Sequence, residues 1–267
     1  MEAIRLAIVE TIDAAVVGRR VLPVDPSPTP TAEYFVYYTR THMSDAAIIG
    51  RGDTIPRDSA KLARTRAQIL KLAKGFEITK EDLATSGRIR DVNARSAARQ
   101  IMELENDFIW NSADEPDVDG CIDDAGNTNA GVAAWSGGIG VAFPLVDTMV
   151  AMANLLADGF AGPYDMVIEA VNFGEAAFRQ ANLEKTELEC IRTTPNIRNI
   201  YIDAHVPHAT AILMQPGPEF AVLAEAQGLE IEGPFYDPDT QVWKFNLTER
   251  VCPAIMQPNS INSITGL

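Results

Sequence analysis

Apolar residues recur with several different periods along this chain, and each period predicts a type of secondary structure. Residues 3–17 carry apolar side chains at helical spacing, which predicts a helix that Gly18-Arg19-Arg20 ends. Four prolines between Leu22 and Thr31 predict an extended arm, because proline lacks a backbone donor and favours extended chain. The aromatic and β-branched segment Glu33–Thr39 predicts a strand directly after this arm.

Two longer segments carry the clearest helical stripes. Residues 91–111 predict a helix capped by Asp91, whose stripe consists of Ala94, Ala97, Ala98, Ile101, Leu104 and Phe108. Residues 144–158 predict a second helix that Gly159 ends, whose buried stripe consists of Leu145, Met149, Met152 or Ala153, and Leu156. A capping box from Asn172 to Glu175 predicts a third helix over Phe173–Ala181.

The second half of the chain is rich in short strand patterns. Strands are predicted at residues 166–168, 200–202, 210–214, 220–224 and 229–232. The turn Asp237-Pro238-Asp239-Thr240 predicts a hairpin between residues 229–236 and 241–252. In its second strand Trp243, Phe245 and Leu247 alternate with polar residues, which predicts one buried face.

The segment from Lys61 to Lys74 has no decisive period. It fits a basic helix, and it also fits the second strand of a long projecting hairpin. A core helix seldom carries so many basic residues beside so few apolar ones, which favours the hairpin.

Charge is distributed unevenly along the chain. Arg51–Arg99 holds 12 Lys and Arg against 6 Asp and Glu, whereas Asn111–Leu267 holds 6 against 22. A basic projection on one molecule therefore suits the acidic body of another copy, although a solvated helix face would produce the same run of charges. The predicted contacts between subunits are basic: Arg51, Arg57, Lys61, Arg64, Arg66, Lys71 and Lys74.

Composition restricts the classes of protein to which this chain can belong. With 46% hydrophobic and 22% charged residues in 267, it is a globular protein of one or two domains. The sequence has no secretory signal and no apolar run long enough for a bilayer. Three widely spaced cysteines predict free thiols in a reducing compartment. The formal charge of −15 argues against nucleic-acid binding by the whole surface, though not by an inner face.

The sequence predicts no catalytic residue, no metal ligand and no cofactor. His205 and His208, with Asp203, Glu187 and Glu189 as neighbouring carboxylates, are the one suggestive set, but Pro207 predicts a turn and no third ligand is evident. Gly137–Gly140 lacks the lysine of a phosphate loop. The acidic run Asp114–Asp124 lacks the spacing and the terminal glutamate of a calcium loop.

The order of these segments resembles the shell proteins of the Hong Kong 97-type fold, especially their encapsulin, or linocin-like, branch. IVETIDAAVVGRRVLPV is similar to the N-terminal helix and arm, and AAIIGRGDTIPRD to the extended loop. RDVNARSAARQIMELENDFIWNS is similar to the long spine helix. VDTMVAMANLLADGFAGPYDMVIEA is similar to a helix–Gly-Pro-Tyr–strand pattern, and FYDPDTQVWKFNLTERVCPAIMQP to the closing strands.

The resemblance implies an α+β fold and a geometric function. It implies an N-terminal helix and arm over residues 1–32, a strand and extended loop over 33–80, a peripheral domain with the spine helix over 81–142 and 229–267, and an axial domain over 143–228. Gly162, Pro163 and Tyr164 would be the axial-domain motif. Many copies would tile a closed icosahedral shell of pentamers, with or without hexamers, and the protein would be no enzyme and bind no membrane.

Two kinds of shell remain open. Encapsulins have a longer N-terminal segment that docks a cargo peptide, whereas Gly18 here follows a short helix, and Gly50–Ser59 is long and polar. Both features favour the major capsid protein of a tailed virus, which encloses double-stranded DNA, with scaffold or cement proteins as further partners. It would assemble in the host cytoplasm and reside in the virion. The alternative is a cytoplasmic encapsulin that encloses a cargo enzyme, and a metal-dependent enzyme is the remote alternative.

Overall fold

The computed structural model describes residues 16–40, 57, 59, 61–85, 87–112, 118–135, 143–177 and 185–267. Its helices are α1 (Gly18–Val21), α2 (Lys80–Thr85), α3 (Gly87–Trp110), α4 (Phe143–Ala157), α5 (Ala170–Ala176) and α6 (Glu187–Arg192). Its strands are β1 (Val24–Asp25), β2 (Tyr34–Arg40), β3 (Leu62–Gln68), β4 (Leu70–Thr79), β5 (Asn127–Ala130), β6 (Tyr164–Ile168), β7 (Ile197–Ile202), β8 (Thr210–Met214), β9 (Ala221–Asp237), β10 (Val242–Ile255) and β11 (Ile261–Thr265).

The spine helix α3 packs against a four-stranded sheet with the order β1-β9-β10-β4. Strands β9 and β10 form one long antiparallel ribbon, and β4 pairs with β10 from Leu70 to Thr79. The predicted small stripe faces this sheet, because Ala94, Ala97 and Ala98 lie in one hydrophobic cluster with residues of β4. The small side chains let the helix lie close to the strands.

A second, five-stranded sheet with the order β5-β11-β8-β6-β7 is covered on both faces. Met166 and Ile168 of β6 pack in a cluster with α4 and α6, whereas Val167 packs in the cluster that contains α3. Strands β6 and β8 are therefore buried at every position, which explains the continuous apolar runs Met166–Ile168 and Ala211–Met214 in the sequence.

The hairpin alternative for Lys61–Lys74 is the correct one. Strands β2 and β3 pair antiparallel from Tyr34↔Gln68 to Arg40↔Leu62, and β4 continues into the four-stranded sheet. The arm before β2 contains the short strand β1 and a turn in which the Ala32 amide donates to the Thr29 carbonyl at 2.9 Å. Arg250 of β10 donates hydrogen bonds to the carbonyls of Pro30 and Ala32.

Several predicted boundaries and faces were wrong. Gly18–Val21 is itself a helical turn, and α3 begins at Gly87, four residues before the predicted cap Asp91. Glu169, not Asn172, caps α5, because its carboxylate accepts from the Asn172 amide 3.1 Å away. The two strands predicted at 220–224 and 229–232 are the single strand β9, since the ribbon is continuous there.

The two sheets also divide the chain differently from the predicted domain boundaries. Residues 261–265 form β11, which pairs with β8 and β5 and thus lies in the sheet of the predicted axial region. Residues 221–228 belong to the ribbon instead. Residues 3–15 of the helix predicted over 3–17 lie outside the described residues, as do Arg51, residues 113–117 and Gly137–Gly140. Within the described part of the chain, no helix has both the length and the apolar character needed to cross a bilayer.

Candidate assembly surfaces

The outer face of the β2–β3 hairpin combines aromatic rings with arginines. Tyr34, Val36 and Tyr38 alternate on β2, and the register places Arg66 opposite Val36 and Arg64 opposite Tyr38. All five side chains are exposed, Tyr38 at 55%, and the Arg66 guanidinium lies 5.0 Å from the centre of the Tyr34 ring. We call these five residues the hairpin face.

The opposite side of the same hairpin packs against the body of the protein. Phe35 and Tyr37 stack at 6.1 Å and contact a cluster that contains Ala67, Phe108 and Cys252. This packing fixes which face of β2 turns outward, because a shift of one residue would exchange the two faces.

The structure does not gather the predicted basic residues at one point. Arg64 and Arg66 lie on β3, whereas Lys71 and Lys74 lie on β4 within the four-stranded sheet. Arg57 and Lys61 are exposed on the segment that leads into β3. Among the described residues, Arg64 and Arg66 form no ion pair with an acid. Arg51 lies outside the described residues. Of the predicted basic residues, only Arg64 and Arg66 belong to the hairpin face, by its definition above.

Helix α4 presents a second exposed surface, and here the prediction was right for Met152 but wrong for Met149 and Leu156. Met149 and Leu156 are each 48% exposed, together with Val146, Val150 and Ala153 on the same side. The buried side holds Ala151, Met152 and Leu155, but also Asp147 and Thr148. Asp147 is satisfied there by the Val132 amide and the Trp135 indole, both at 2.9 Å. We call Val146, Met149, Val150, Ala153 and Leu156 the α4 face.

A third exposed apolar site lies at the tip of the β9–β10 ribbon. Phe235 and Tyr236 are 54% and 45% exposed, and the Tyr236 ring lies 4.7 Å from that of Trp243. Beside them Lys244 donates to Asp237 at 2.8 Å, and this hydrogen bond lowers the pKa of Asp237 to about 2.

The motif Gly162-Pro163-Tyr164 forms the turn that leads into β6. Gly162 has φ +82°, and a Cβ atom there would lie 3.1 Å from that of Asn196. The Tyr164 ring is fully buried, its hydroxyl donates to the Phe160 carbonyl, and its amide donates to Asn196 at 2.7 Å. The motif therefore has a structural role in this chain, because it sets the entry of a central strand.

The two histidines do not converge. The His205 Nδ1 atom lies 2.9 Å from Asp203, whereas the His208 Nδ1 atom lies 3.7 Å from Glu169. Asp203 is also held by the indole of Trp110 at 2.8 Å, which links the end of the spine helix to the five-stranded sheet. Within the described residues, no three His, Cys, Asp or Glu side chains are grouped to hold a metal.

The sequence profile of the Linocin M18 family, described as "Encapsulating protein for peroxidase", matches residues 2–252. This match covers nearly the whole chain. The chain belongs to the Linocin M18 family. A comparison with curated proteins returned no match.

Solved structures share the fold of this Linocin M18 chain at low sequence identity. The virus-like particle from Pyrococcus furiosus has a TM-score of 0.74 and 14% identity, covering 99% of this chain and 98% of its own. The capsid of Myoviridae phage XM1 has a TM-score of 0.69 and 10% identity, covering 95% and 92%. The capsid of the native GTA particle has a TM-score of 0.65 and 16% identity, covering 92% of this chain and 88% of its own. The predicted Hong Kong 97-type fold is confirmed, and both family and fold are those of structural shell proteins.

One feature of this Linocin M18 chain was not predicted from the sequence. Arg19 of α1 lies among three glutamates from three other elements: Glu105 of α3, Glu225 of β9 and Glu249 of β10. They are separated by up to 230 positions along the chain, so no local pattern could group them. One indication was present in the sequence: Glu105 and Glu249 each lie on an otherwise apolar face of their own helix or strand.

Proposed function

We propose that the chain is a structural subunit whose copies close into an icosahedral shell around a protein cargo. The hairpin face carries this proposal, because it exposes aromatic rings beside two arginines that pair with no acid among the described residues. Tyrosine and arginine are the residue types enriched at protein interfaces. Residues 111–267, with 22 acids against 6 basic groups, supply the opposite charge on a neighbouring copy.

The α4 face supports self-assembly through a different kind of contact. A helix that is apolar all round is normally buried on all sides, yet one side of α4 is open in the single subunit. We infer that another copy covers it. Many modest contacts then hold each subunit in place at once, which makes a closed shell far more stable than any single contact.

The contents of the shell separate the two remaining functions. The match to a family described as encapsulating protein for peroxidase, over residues 2–252, supports a protein cargo. The second candidate, a tailed-virus major capsid protein around double-stranded DNA, is favoured by the polar sequence of Gly50–Ser59. Both functions require the same shell contacts.

The first test is direct. The purified protein should elute as a megadalton species and form uniform round particles in negative-stain images. Mass spectrometry of the contents, together with the ratio of absorbance at 260 and 280 nm, distinguishes a co-purified protein from nucleic acid. A protein that stays monomeric at every concentration and salt tested would contradict the proposed shell.

The second test addresses the hairpin face. Arg64→Glu with Arg66→Glu should leave a folded subunit with an unchanged circular dichroism spectrum and a strongly reduced yield of particles. One exposed pair contributes only about 0–1 kcal/mol, so the loss depends on repetition over many copies. The matched control is Arg99→Glu with Arg192→Glu, which changes the net charge equally outside the hairpin. Equal particle yields from both double variants would count against a role for the hairpin face.

A further inference from the structure

The cluster around Arg19 joins four elements through one guanidinium. The Arg19 Nε and Nη2 atoms donate to the two oxygens of Glu105 at 2.8 and 3.0 Å, and Nη1 donates to Glu225 at 2.7 Å. Nη2 also donates to Glu249. The side chains of Glu105 and Glu249 are no more than 1% exposed, whereas those of Arg19 and Glu225 are each 21% exposed.

The charges in this cluster do not balance if all three carboxyl groups are ionised. One guanidinium faces three carboxylates, which would leave an excess of two negative charges in a largely buried place. Burial and the neighbouring Glu105 charge raise the pKa of Glu249 to about 9, with Arg19 acting in the opposite direction. Burial alone would lower the pKa of Arg19, but Glu105 and Glu249 raise it above its ordinary value.

A further observation fits a bound proton. The Glu249 Oε2 atom is buried and has no hydrogen-bond partner, whereas Oε1 accepts from Arg19. A buried, unpartnered oxygen is costly on a carboxylate and much less so on a neutral carboxyl group.

We propose that Glu249 holds a proton at neutral pH and that this proton lets Arg19 fasten the N-terminal segment, the spine helix and the β9–β10 ribbon into one unit. When solvent base removes the proton, Glu249 and Glu105 repel each other, and the contact between α3 and the ribbon loosens. The cluster is thus a pH-sensitive contact between these elements of the fold.

Each element packed against Glu249 contributes one side chain that faces it. These side chains are Arg19 from α1, Glu105 from α3 and Glu225 from β9, while β4 places the apolar Leu72 opposite Glu249. The N-terminal segment has further attachments to the same elements. The Gly18 amide donates to Asn106 at 3.0 Å, and β1 pairs with Leu223 and Ala224 of β9.

The direction of the pH effect follows from linkage. Glu249 has a raised pKa in the folded protein and the ordinary value of 4.5 when unfolded, so the folded state holds one more proton between these values. The contribution of this group to stability is complete below pH 4.5 and is lost as the pH rises toward about 9. In that window the unfolding equilibrium constant rises about tenfold per pH unit from this group alone.

The test compares the wild type with Glu249→Gln, because the amide resembles a protonated carboxyl group but cannot ionise. Thermal unfolding midpoints are measured from pH 6 to pH 10. The midpoint of the variant should gain on that of the wild type steadily up to about pH 9 and then level off, in line with the linkage above. Glu225→Gln is the control in the same cluster, and its difference from the wild type should stay flat.

A second measurement reports the proton itself. Infrared spectroscopy of the folded wild type at pH 8 should show a protonated carboxyl band that is absent from Glu249→Gln and lost from the wild type at pH 10. The band should persist in Glu187→Gln, which removes another buried glutamate whose pKa burial raises.

Two results would overturn the proposal: a difference between the wild type and Glu249→Gln that does not change with pH, or a Glu249→Gln chain that fails to fold. Neither measurement requires assembly, so particle images of the same samples decide the shell function separately.

Discussion

The β2–β3 hairpin and the five-stranded sheet use the same alternation of side chains in opposite ways. In the hairpin every second residue of β2 is exposed, whereas in β6 and β8 every residue is buried. The sheet obtains its packing partners from its own chain. The outward face of the hairpin is uncovered in the single subunit, and our proposal is that another copy covers it. Changes in the sheet should therefore lower the stability of the fold, and changes on the hairpin should affect assembly alone.

Helix α4 has one buried side and one exposed side, so changes on its exposed side separate assembly from folding most clearly. Met149→Glu with Leu156→Glu should nearly abolish particles, because a carboxylate buried in an apolar contact without a partner is far costlier than a lost surface ion pair. The unfolding midpoint of the subunit should hardly change, since both side chains are about half exposed. Particle yield by light scattering and the unfolding midpoint are measured together.

The control for this variant is Val171→Glu, which places a carboxylate at an apolar residue that is 53% exposed on α5. We expect normal particles from it. Normal particle yield from the α4 variant would show that no copy covers the α4 face. A large fall in its unfolding midpoint would instead place the effect inside the subunit.

Gly162→Ala tests the turn that leads into β6 of the five-stranded sheet. Alanine at φ +82° costs about 1–3 kcal/mol of stability, and its Cβ atom would also press on Asn196 at 3.1 Å. The unfolding midpoint should fall clearly. Gly174→Ala is the control, because a Cβ atom there meets nothing within 4 Å and α5 gains a better helix former. Equal midpoints for the two variants would disprove the structural role of the turn.

Ala97→Leu tests the layer between the spine helix and the four-stranded sheet. Ala97 is 3% exposed and lies in the cluster that contains Leu72 and Ile78, so the larger side chain should cost about 1–3 kcal/mol through overpacking. Val92→Leu, at an exposed position of the same helix, should change the midpoint little. A stable Ala97→Leu variant would mean that the helix and sheet leave room for three more carbon atoms.

The parts that the sequence predicts well are those in which one period dominates. The stripe Ala94–Ala98 and the alternation of Phe245, Asn246 and Leu247 in β10 follow from spacing alone, because each of these segments has one buried face. Met149 and Leu156 were wrongly expected inside, because α4 is apolar all round and its period cannot indicate which side the sheet covers. Leu104 was wrong for a related reason, since it is 49% exposed at the edge of a stripe that Met102 and Ile109 fill instead.

The Arg19 cluster could not be predicted because its members meet only in three dimensions. The hairpin face was half predicted. The run of charges marked Arg64 and Arg66, but the outward direction of Tyr34, Val36 and Tyr38 depends on which face packs against Phe108 and Cys252.

Salt should separate the hairpin face from the α4 face. Raising the ionic strength from about 0.1 M to about 1 M shortens the screening length from about 10 Å to about 3 Å, which weakens exposed charge contacts and leaves apolar ones intact. Wild-type particle yield should fall moderately over this range. The yield of the Arg64→Glu, Arg66→Glu variant should respond less, or in the opposite direction. A wild-type particle yield that does not change with salt would indicate that apolar contacts alone drive assembly.

The smallest effect is expected for His205→Ala with His208→Ala. The His208 side chain is 78% exposed and 3.7 Å from Glu169, so its loss should cost about 0–1 kcal/mol. His205 contacts Asp203, but that carboxylate keeps the Trp110 indole and the His205 backbone amide as donors. Trp110→Phe, which removes the buried indole donor, should therefore cost more than the loss of both histidines. We expect closed particles of normal size and well under one zinc per chain in the dialysed wild type. A stoichiometric metal that disappears with the histidines, together with a hydrolytic activity, would overturn the structural assignment of this turn.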